Sequence, residues 1–261
     1  MGSNFLLFSR RAFESVARGL GAFAWAAACA APAAAGVPVG SGQVAFYGLA
    51  AYQLDPASFD DTVFVNTPIT ADANGNIYFG FRTTPGAPLG LAGGIARVDA
   101  AGNGTWIAAS AASGDSAATL VPHQAAPALS HDESTLYVVV NGAQTSASLV
   151  GLDPATLAVK ESSPGVPMRV ALKDPRGGGI NNAVVSDNSS ASPMVGPDGD
   201  VYYGVLGNPF NGARGWLLHY SADLKQTKIP GAFGWDSTPA VVPAAAVPSY
   251  TGTSSYLVFS K

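Results

Sequence analysis

Apolar and polar residues recur along this chain in one order that appears four times. Each copy begins with a small residue followed by proline, continues through a few residues to a polar turn, and then enters a strand that is largely apolar. Proline is tolerated at the first residue of a strand because its missing N–H removes no ladder hydrogen bond there. The four copies are TPITADANGNIYFGF (67–81), APALSHDESTLYVVVN (126–141), SPMVGPDGDVYYGVLG (192–207) and TPAVVPAAAVPSYTGTSSYLVFS (238–260).

The turn in each copy predicts an antiparallel hairpin. Asn74-Gly75 and Asp198-Gly199 are typical of two-residue hairpin turns, in which the backbone adopts positive φ angles. The strands that follow are apolar at successive positions, which is typical of a strand covered on both faces. A second, more polar hairpin follows the first in three of the copies, at residues 93–110, 147–162 and 215–230.

Four antiparallel strands that grade from apolar to polar are the pattern of a propeller blade. The chain is therefore predicted to be all-β, a β-propeller of four-stranded antiparallel blades. About three and a half blades are present, as an open arc, because the fourth copy ends after its second strand. A β-sandwich would also explain short strands and turns, but not the repeated order of proline, turn and tyrosine. The predicted blades lie near residues 60–110, 123–162, 187–230 and 235–261.

The segments SPMVGPDGDVYYG and LVGLDPATLAVK resemble the repeats of PQQ-like, quinoprotein-type β-propellers. The resemblance covers about residues 60–261. Propellers close into rings of about four to eight blades. The resemblance therefore implies a C-terminally truncated fragment whose missing blades belong to the same full-length chain.

The same resemblance implies PQQ and calcium as cofactors at the propeller axis. Asp187, Asn188 and Asp236 are residue types that bind hard cations. Two features depart from the family pattern. The adjacent cysteine pair of alcohol-oxidising members is absent, and only Trp106 matches the tryptophan that often closes each repeat. These departures weigh against assigning the cofactors to this chain, and no metal site is assigned.

Residues 1–35 are predicted to be an export signal that is cleaved near Ala35. Arginines precede an uncharged stretch, and small residues follow it, which is the order of regions in such signals. The segment SRRAF, with Arg10 and Arg11, resembles the twin-arginine signal of bacteria, although Glu14 and Ser15 follow the phenylalanine where leucine and lysine are usual. The sequence thus predicts a periplasmic or secreted protein.

Composition and charge exclude several classes of function. The 261 residues carry a net charge of −4, and the predicted signal contains three arginines and one glutamate, so the mature chain is more acidic still. It contains no basic cluster for binding nucleic acid or anionic lipid. Cys29 lies inside the signal, so the mature chain has no cysteine chemistry. Lipidation of Cys29 stays open, although Ala26 stands where leucine is usual. No later apolar run is long enough for a stable membrane span.

Polar residues precede the inner strand of each predicted blade, where all blades converge on one end of the axis. Together they offer an imidazole, carboxylates, amides and an indole, which are suitable groups for a ligand pocket. Each carboxylate or amide has an alternative interpretation as a turn cap. The candidate ligand-binding residues are Asn66, His123, Gln124, Asp187, Asn188, Trp235 and Asp236.

The longest predicted connection, residues 162–191, is a candidate lid over this end of the axis. Loops of such length are usually either functional or disordered. It contains a glycine triplet, Gly177 to Gly179, as a hinge, but lacks the lysine and following helix of a phosphate-binding loop. The candidate lid residues are Asp174, Arg176, Asn181 and Asn182.

We therefore expect an exported, non-catalytic propeller that binds a small molecule or a protein partner at the axis. A quinoprotein-like oxidoreductase using PQQ and calcium is the first alternative, and a carbohydrate-active propeller is the second. Asp187 and Asp236 would be the acid pair of the carbohydrate-active alternative, and their separation would decide it. No serine-hydrolase elbow or zinc-binding motif is present, so catalytic residues stay unknown.

Overall fold

Short antiparallel strands follow one another along the chain in the order that the repeated pattern predicts. The computed structural model describes residues 42–142, 145–187, 191–209, 215–232 and 237–260, so the predicted export signal lies outside the described residues. The α-helices in this part are α1 (Leu49–Leu54), α2 (Pro56–Thr62) and α3 (Ala109–Ser113), and no described helix is long and apolar enough to cross a membrane. The strands are β1 (Val63–Val65), β2 (Thr70–Ala71), β3 (Ile77–Thr83), β4 (Gly94–Val98), β5 (Gly104–Ala108), β6 (Ala128–Leu129), β7 (Leu136–Val140), β8 (Ser148–Leu152), β9 (Glu161–Ser163), β10 (Val166–Pro167), β11 (Arg169–Ala171), β12 (Met194–Val195), β13 (Val201–Leu206), β14 (Gly215–Tyr220), β15 (Ala240–Pro243) and β16 (Tyr256–Phe259).

Neighbouring strands pair into consecutive antiparallel sheets, which we call blades 1 to 4. Blade 1 has the order β1-β3-β4-β5, with β2 also paired to β3, and blade 2 has the order β6-β7-β8-β11. Blade 3 has the order β12-β13-β14, and bridges from β14 to Thr227 and Gly231 add an outer segment. Blade 4 is the hairpin of β15 and β16. This succession of sheets is a partial β-propeller and confirms the predicted all-β fold class.

The outer strand of blade 2 lies later in the chain than its predicted end near residue 162. β11 pairs with β8, and the separate hairpin of β9 and β10 precedes it. Met168 and Leu172 are buried, and Val170 between them packs against the same core. This alternation is a strand pattern, but it lies within the interval predicted as one long connection, 162–191. That interval therefore contains β10 and β11.

Side-chain hydrogen bonds shape the turn between β2 and β3. Asp72 Oδ1 accepts hydrogen bonds from the backbone N–H groups of Asn74 (3.0 Å) and Asn76 (2.8 Å). Gly75 has a φ of 82°, which glycine adopts without steric cost. The turn is longer than the predicted two-residue turn because the Asp72 side chain organises all residues up to Asn76. Asp99 makes the corresponding contacts between β4 and β5.

The core consists of layers between the blades, because the inner strands are buried on both faces. In β7, Leu136, Val138 and Val140 pack toward blade 1, whereas Tyr137 and Val139 pack toward blade 3. All five side chains are at most 1% exposed. Successive residues of a strand point to opposite faces, so this double burial explains why the strand is apolar at every position.

A hydrogen bond between blades explains the hydroxyl residue before the repeated proline in blades 3 and 4. The backbone N–H of Ala126 donates to Ser192 Oγ (2.9 Å), and the backbone N–H of Ser192 donates to Thr238 Oγ1 (2.8 Å). Ala126, Ser192 and Thr238 each directly precede a proline of the pattern. We call this contact the proline-step hydrogen bond. It joins equivalent positions of blades 2, 3 and 4.

Blades 1 and 2 are not joined by a proline-step hydrogen bond among the described residues. Ala126 has no hydroxyl to offer to blade 1, and Thr70 Oγ1 instead donates a hydrogen bond to the backbone oxygen of Pro127. The hydroxyl of Thr67, the equivalent residue in blade 1, accepts a hydrogen bond from Gly80 N–H (2.8 Å) inside its own blade. The pattern thus continues through all four blades, with a substitute contact where alanine replaces serine or threonine.

Substitution of Ser192 by alanine should destabilise the junction of blades 2 and 3. The variant loses one of the two acceptors of Ala126 N–H, which also donates to the backbone oxygen of Gln124 (3.0 Å), so we expect the free energy of unfolding to fall by about 0.5 to 1.5 kcal/mol. Chemical denaturation monitored by circular dichroism measures this change. Ser192→Thr is the matched control because threonine keeps the hydroxyl and already occupies the equivalent position 238. Equal stabilities of Ser192→Ala and Ser192→Thr would show that the hydroxyl contributes nothing.

Candidate functional site

Three of the polar leads before the inner strands are joined edge to edge by backbone hydrogen bonds. The N–H of Gln124 in the blade 2 lead donates to the backbone oxygen of Asn66 in blade 1 (2.9 Å). The N–H of the adjacent His123 donates to the backbone oxygen of Asp187 in the blade 3 lead (2.7 Å). Gln124 adopts a φ of 67°. The backbone bends at this residue, where the N–H of Gln124 is bonded to blade 1 and the N–H of His123 is bonded to the blade 3 lead. Predicted site residues from three blades thereby lie side by side.

Two buried asparagines strengthen the same junctions. Asn66 Nδ2 donates to the backbone oxygen of Val121 (2.7 Å), and Asn141 Nδ2 donates to that of Val185 (3.0 Å). Val121 and Val185 each lie two residues before a predicted site residue, His123 and Asp187 respectively. Both asparagines therefore hold a lead of the next blade in position.

The carbonyl side of these amides is not used within the described part of the chain. Asn66 is 6% exposed and Asn141 is 2% exposed, yet the Oδ1 atom of each has no hydrogen-bond partner among the described residues. The Oδ1 atom of Asp187 is also buried and has no hydrogen-bond partner among the described residues. A buried polar atom without a partner costs free energy. Three acceptor oxygens at the junctions of three blades thus retain the capacity to bind a donor.

A cationic side chain from blade 1 lies beside Asp187. Arg82 is at the end of β3, and its Nη1 atom is 3.9 Å from Asp187 Oδ2. Its guanidinium also lies 5.9 Å from the centroid of the Phe64 ring. Both charged side chains are nearly half exposed, so their mutual attraction is weakened by solvent. We call Asn66, Arg82, His123, Gln124, Asn141 and Asp187 the mouth cluster.

The remaining predicted ligand-binding residues, Asn188, Trp235 and Asp236, lie outside the described residues. Of the predicted residues that are described, His123 and Asp187 are half-buried, Gln124 is exposed and Asn66 is buried. The mouth cluster combines acceptor oxygens with one guanidinium and one imidazole. These groups suit a ligand that carries both hydrogen-bond donors and a negative charge.

The predicted lid residues hold their own loop against blade 3. Asp174 is fully buried, and its carboxylate accepts hydrogen bonds from Arg176 Nη2 (2.6 Å) and from the backbone N–H of Asn208 (2.5 Å). Burial raises the pKa of this carboxyl, but the hydrogen bonds from Arg176 and Asn208 outweigh it, so the pKa lies below its ordinary value. Arg176 Nη2 also donates to the backbone oxygen of Pro209 (3.0 Å).

Asn181 and Asn182 complete this attachment. The backbone oxygen of Asn181 accepts a hydrogen bond from Asp174 N–H (2.9 Å). Asn182 bonds through its side chain to Lys173 Nζ (2.6 Å) and to the backbone oxygen of Thr145 (2.6 Å). The four predicted lid residues thus form one hydrogen-bonded loop end that is attached to segments near residues 145 and 208. A lid movement stays a prediction, and it would have to break these contacts.

A second polar cluster lies at the turn end of blade 3, opposite the leads. Asp200 Oδ2 is bonded to His219 Nε2 (2.7 Å) and accepts a hydrogen bond from Lys228 Nζ. The His219 ring stacks on Tyr202, with centroids 4.3 Å apart. Tyr256 of blade 4 shares a hydrogen bond with the Tyr202 hydroxyl (2.8 Å). This cluster joins blades 3 and 4.

The carboxylate of Asp198 completes the second cluster. It accepts a hydrogen bond from the Tyr256 hydroxyl (2.7 Å). Burial raises the pKa of Asp198, but this hydrogen bond and those from backbone N–H groups lower it by more. The pKa of Asp198 therefore lies below its ordinary value. Burial and the hydrogen bonds to Tyr202 and Asp198 raise the pKa of Tyr256. The carboxylate is therefore the stable form of Asp198 at neutral pH, and the phenol is that of Tyr256.

Sequence reasoning missed Arg82 and Asn141 in the mouth cluster. Both follow directly on apolar strand residues, at the ends of the runs NIYFGFR and LYVVVN. In an antiparallel sheet, the end of the second strand lies beside the start of the first. A polar residue that closes an apolar strand is therefore the signal that would have found them.

Comparisons with known proteins identify no family for this chain. No protein-family model matches the sequence, and no curated protein matches it. A structure of a luciferin-regenerating enzyme shares 14% identity with it at a TM-score of 0.39, with 69% of this chain and 50% of that chain covered. A structure of regucalcin, a calcium-binding protein from Agrobacterium tumefaciens, shares 15% identity at a TM-score of 0.34, with 66% and 47% covered. The chain spans about half the length of these two proteins.

The described residues contain no group of three or more histidine, cysteine, aspartate or glutamate side chains that could hold a metal ion. Among the acids predicted to bind a hard cation, Asp187 alone is described. The site geometry therefore rests on amide oxygens, one carboxylate, one guanidinium and one imidazole.

Replacement of Asp174 by asparagine should destabilise the protein at neutral pH. The variant leaves Arg176 without its buried partner, so we expect a loss of about 3 kcal/mol in the free energy of unfolding at pH 7. Because the pKa of Asp174 is lowered in the folded protein, its contribution is present above the ordinary carboxyl pKa of 3.8 and is lost as the pH falls below it. The difference between the two proteins should therefore shrink in acid.

Denaturant unfolding at neutral and acidic pH measures this difference. Glu161→Gln removes an exposed carboxylate of the neighbouring hairpin and is the matched control, with little expected change. A difference between Asp174→Asn and the unmodified protein that stays constant with pH would contradict the assigned role of the carboxylate.

Proposed function

We propose that this protein is an exported β-propeller that binds a small-molecule or protein ligand at the mouth cluster without catalysing a reaction. The observation that carries the proposal is the set of unpartnered acceptors, Asn66 Oδ1, Asn141 Oδ1 and Asp187 Oδ1, at the junctions of three blades. Binding sites are typically preformed cavities with a few convergent polar groups. The backbone contacts between the leads fix these groups in place before a ligand arrives.

The chemistry of the mouth cluster narrows the class of ligand. Hydroxyl or ammonium groups of a ligand would satisfy the acceptor oxygens, which are otherwise costly to bury. Arg82, with its side chain 47% exposed, would bind a carboxylate or phosphate of the same ligand in two-point fashion. A small anionic molecule with several hydroxyl or amino groups would supply both the donors for the acceptor oxygens and the negative charge for Arg82. An acidic loop of a protein would supply both as well.

A quinoprotein-like oxidoreductase is the first alternative function. It would require PQQ and calcium held by acids and amides near the axis, and Asp187 is of the right type. Asn188 and Asp236 lie outside the described residues, and the described residues contain no group of three or more histidine, cysteine, aspartate or glutamate side chains that could hold a metal ion. We therefore derive no step through these cofactors. A carbohydrate-active propeller, with Asp187 and Asp236 as its acid pair, is the second alternative.

Export through the twin-arginine route can be tested in the signal. Replacement of both Arg10 and Arg11 by lysine keeps the charge of the signal but removes the arginine pair that the route reads. We expect the protein to accumulate in the cytoplasm of a bacterial host, as measured by fractionation and immunoblotting. Arg18→Lys is the matched control and should leave export intact. Continued export of the double variant would favour an ordinary signal peptide.

Ligand binding can be tested with a matched pair of carboxylate substitutions. Asp187→Asn removes a charge from the mouth cluster, and Asp223→Asn removes one from the opposite end, where the carboxylate side chain is equally exposed at 45%. A thermal-shift panel of sugar acids, hydroxy acids, amino acids and sugars would identify a ligand. We expect Asp187→Asn to weaken its binding at least tenfold, about 1.4 kcal/mol, whereas Asp223→Asn leaves it unchanged.

Calorimetric titration of both variants measures this difference, and circular dichroism checks that both retain the fold. Equal affinities would place the ligand away from the mouth cluster. A quinone absorbance band after addition of PQQ and calcium would favour the oxidoreductase. Release of reducing sugar from a glycan panel would favour the carbohydrate-active alternative.

A further inference from the structure

The two faces of blade 1 have different neighbours. Tyr78 and Ile95 point to one face and belong to the core shared with blade 2. Phe79 and Phe81 point to the opposite face, which in a closed propeller would pack against another blade. In this protein, residues 44–62, including α1 and α2, cover that face. We call residues 44–62 the N-terminal segment.

Aromatic packing holds the N-terminal segment on the blade. The Phe46 ring lies 5.7 Å from Phe79 and 4.5 Å from Phe81, measured between centroids. Tyr47 stacks in parallel on Phe59 at 4.3 Å, and Phe59 is only 2% exposed. Aromatic pairs at such distances add to the free energy of simple burial. The face of blade 1 is therefore as well covered as the layers between blades.

The backbone of the segment also approaches the outer strand of the blade closely. A Cβ atom added at Gly104 of β5 would lie 2.0 Å from the backbone oxygen of Phe46. Such an overlap would force either β5 or the N-terminal segment to move. Glycine at position 104 is thus required for the segment to lie where it does.

The proline-step position of blade 1 gives an independent observation. In blades 3 and 4 the hydroxyl at this position accepts a hydrogen bond from the preceding blade. The equivalent Thr67 hydroxyl accepts from Gly80 N–H within blade 1, and donates to the backbone oxygen of Pro68. The hydrogen bonds of this hydroxyl are therefore made within blade 1.

We propose that the N-terminal segment is an end cap that occupies the blade-docking face of blade 1 and prevents another blade from packing there. Terminal caps are needed wherever stacked units would otherwise expose an apolar face. The occupant is the segment itself, and its removal would expose Phe79 and Phe81. The exposed face would then pack against the equivalent face of a second copy of the chain, because a large exposed apolar patch favours association with another apolar surface.

Three substitutions in the full chain test the proposal. Gly104→Ala displaces the backbone at Phe46, Phe59→Ala removes the stacked ring, and Leu54→Ala alters an 88% exposed residue of α1 as the matched control. In analytical ultracentrifugation, the first two variants should shift toward dimer mass as the concentration rises, with increased binding of a hydrophobic dye. Leu54→Ala and the unmodified protein should keep one mass at all concentrations.

A synthetic peptide of residues 42–62 separates a cap from a part of the blade core. Added to Gly104→Ala or Phe59→Ala, the peptide should restore the original mass, whereas the same peptide with Phe59 replaced by alanine should not. Unchanged mass and dye binding in both variants would overturn the proposal. Loss of the β-sheet circular dichroism signal in the milder variant Tyr47→Ala would overturn it as well, because the segment would then be inseparable from the blade.

Discussion

The fold depends on how backbone N–H groups are satisfied where one blade meets the next. Pro127 and Pro193 directly precede β6 and β12, and proline has no N–H, so the residue before each proline carries the last N–H donor of the lead. That donor faces the neighbouring blade and needs an acceptor there, since buried backbone groups are almost always paired. Ser192 and Thr238 supply the acceptor as hydroxyls. In blades 3 and 4 the small residue and the proline are thus parts of one contact.

The need to pair backbone N–H groups also determines the arrangement of the mouth cluster. The N–H groups of His123 and Gln124 are bonded to backbone oxygens of the flanking blades, which fixes the leads without using their side chains. Asn66 and Asn141 then contribute one amide donor each to the junctions. Their Oδ1 atoms have no hydrogen-bond partner among the described residues. The unpartnered acceptors therefore follow from the way in which the blades are joined.

Sequence alone predicted the all-β propeller fold class, because double burial requires an apolar residue at every position of strands such as β7. It also selected Asn66, His123, Gln124 and Asp187, which the fold brings together. It misplaced β11, since a three-residue alternation inside a polar interval carries little signal. Arg82 was missed because its place beside Asp187 depends on a contact between blades 1 and 3, which are distant in sequence. The position of the N-terminal segment was not predicted either, because the packing of its aromatic residues on blade 1 is visible only in the structure.

The two ends of the propeller differ in how far their polar groups are satisfied, and this difference bears on function. At the turn end, Asp200 is bonded to both His219 and Lys228, and the Tyr256 hydroxyl joins Tyr202 to Asp198. Such a saturated cluster stabilises the fold but has little left to offer a ligand. At the mouth, buried acceptors lack donors among the described residues. Because three such acceptors lie near one another where the blades converge, a ligand with several donors would gain more from binding at the mouth than at the turn-end cluster of blade 3.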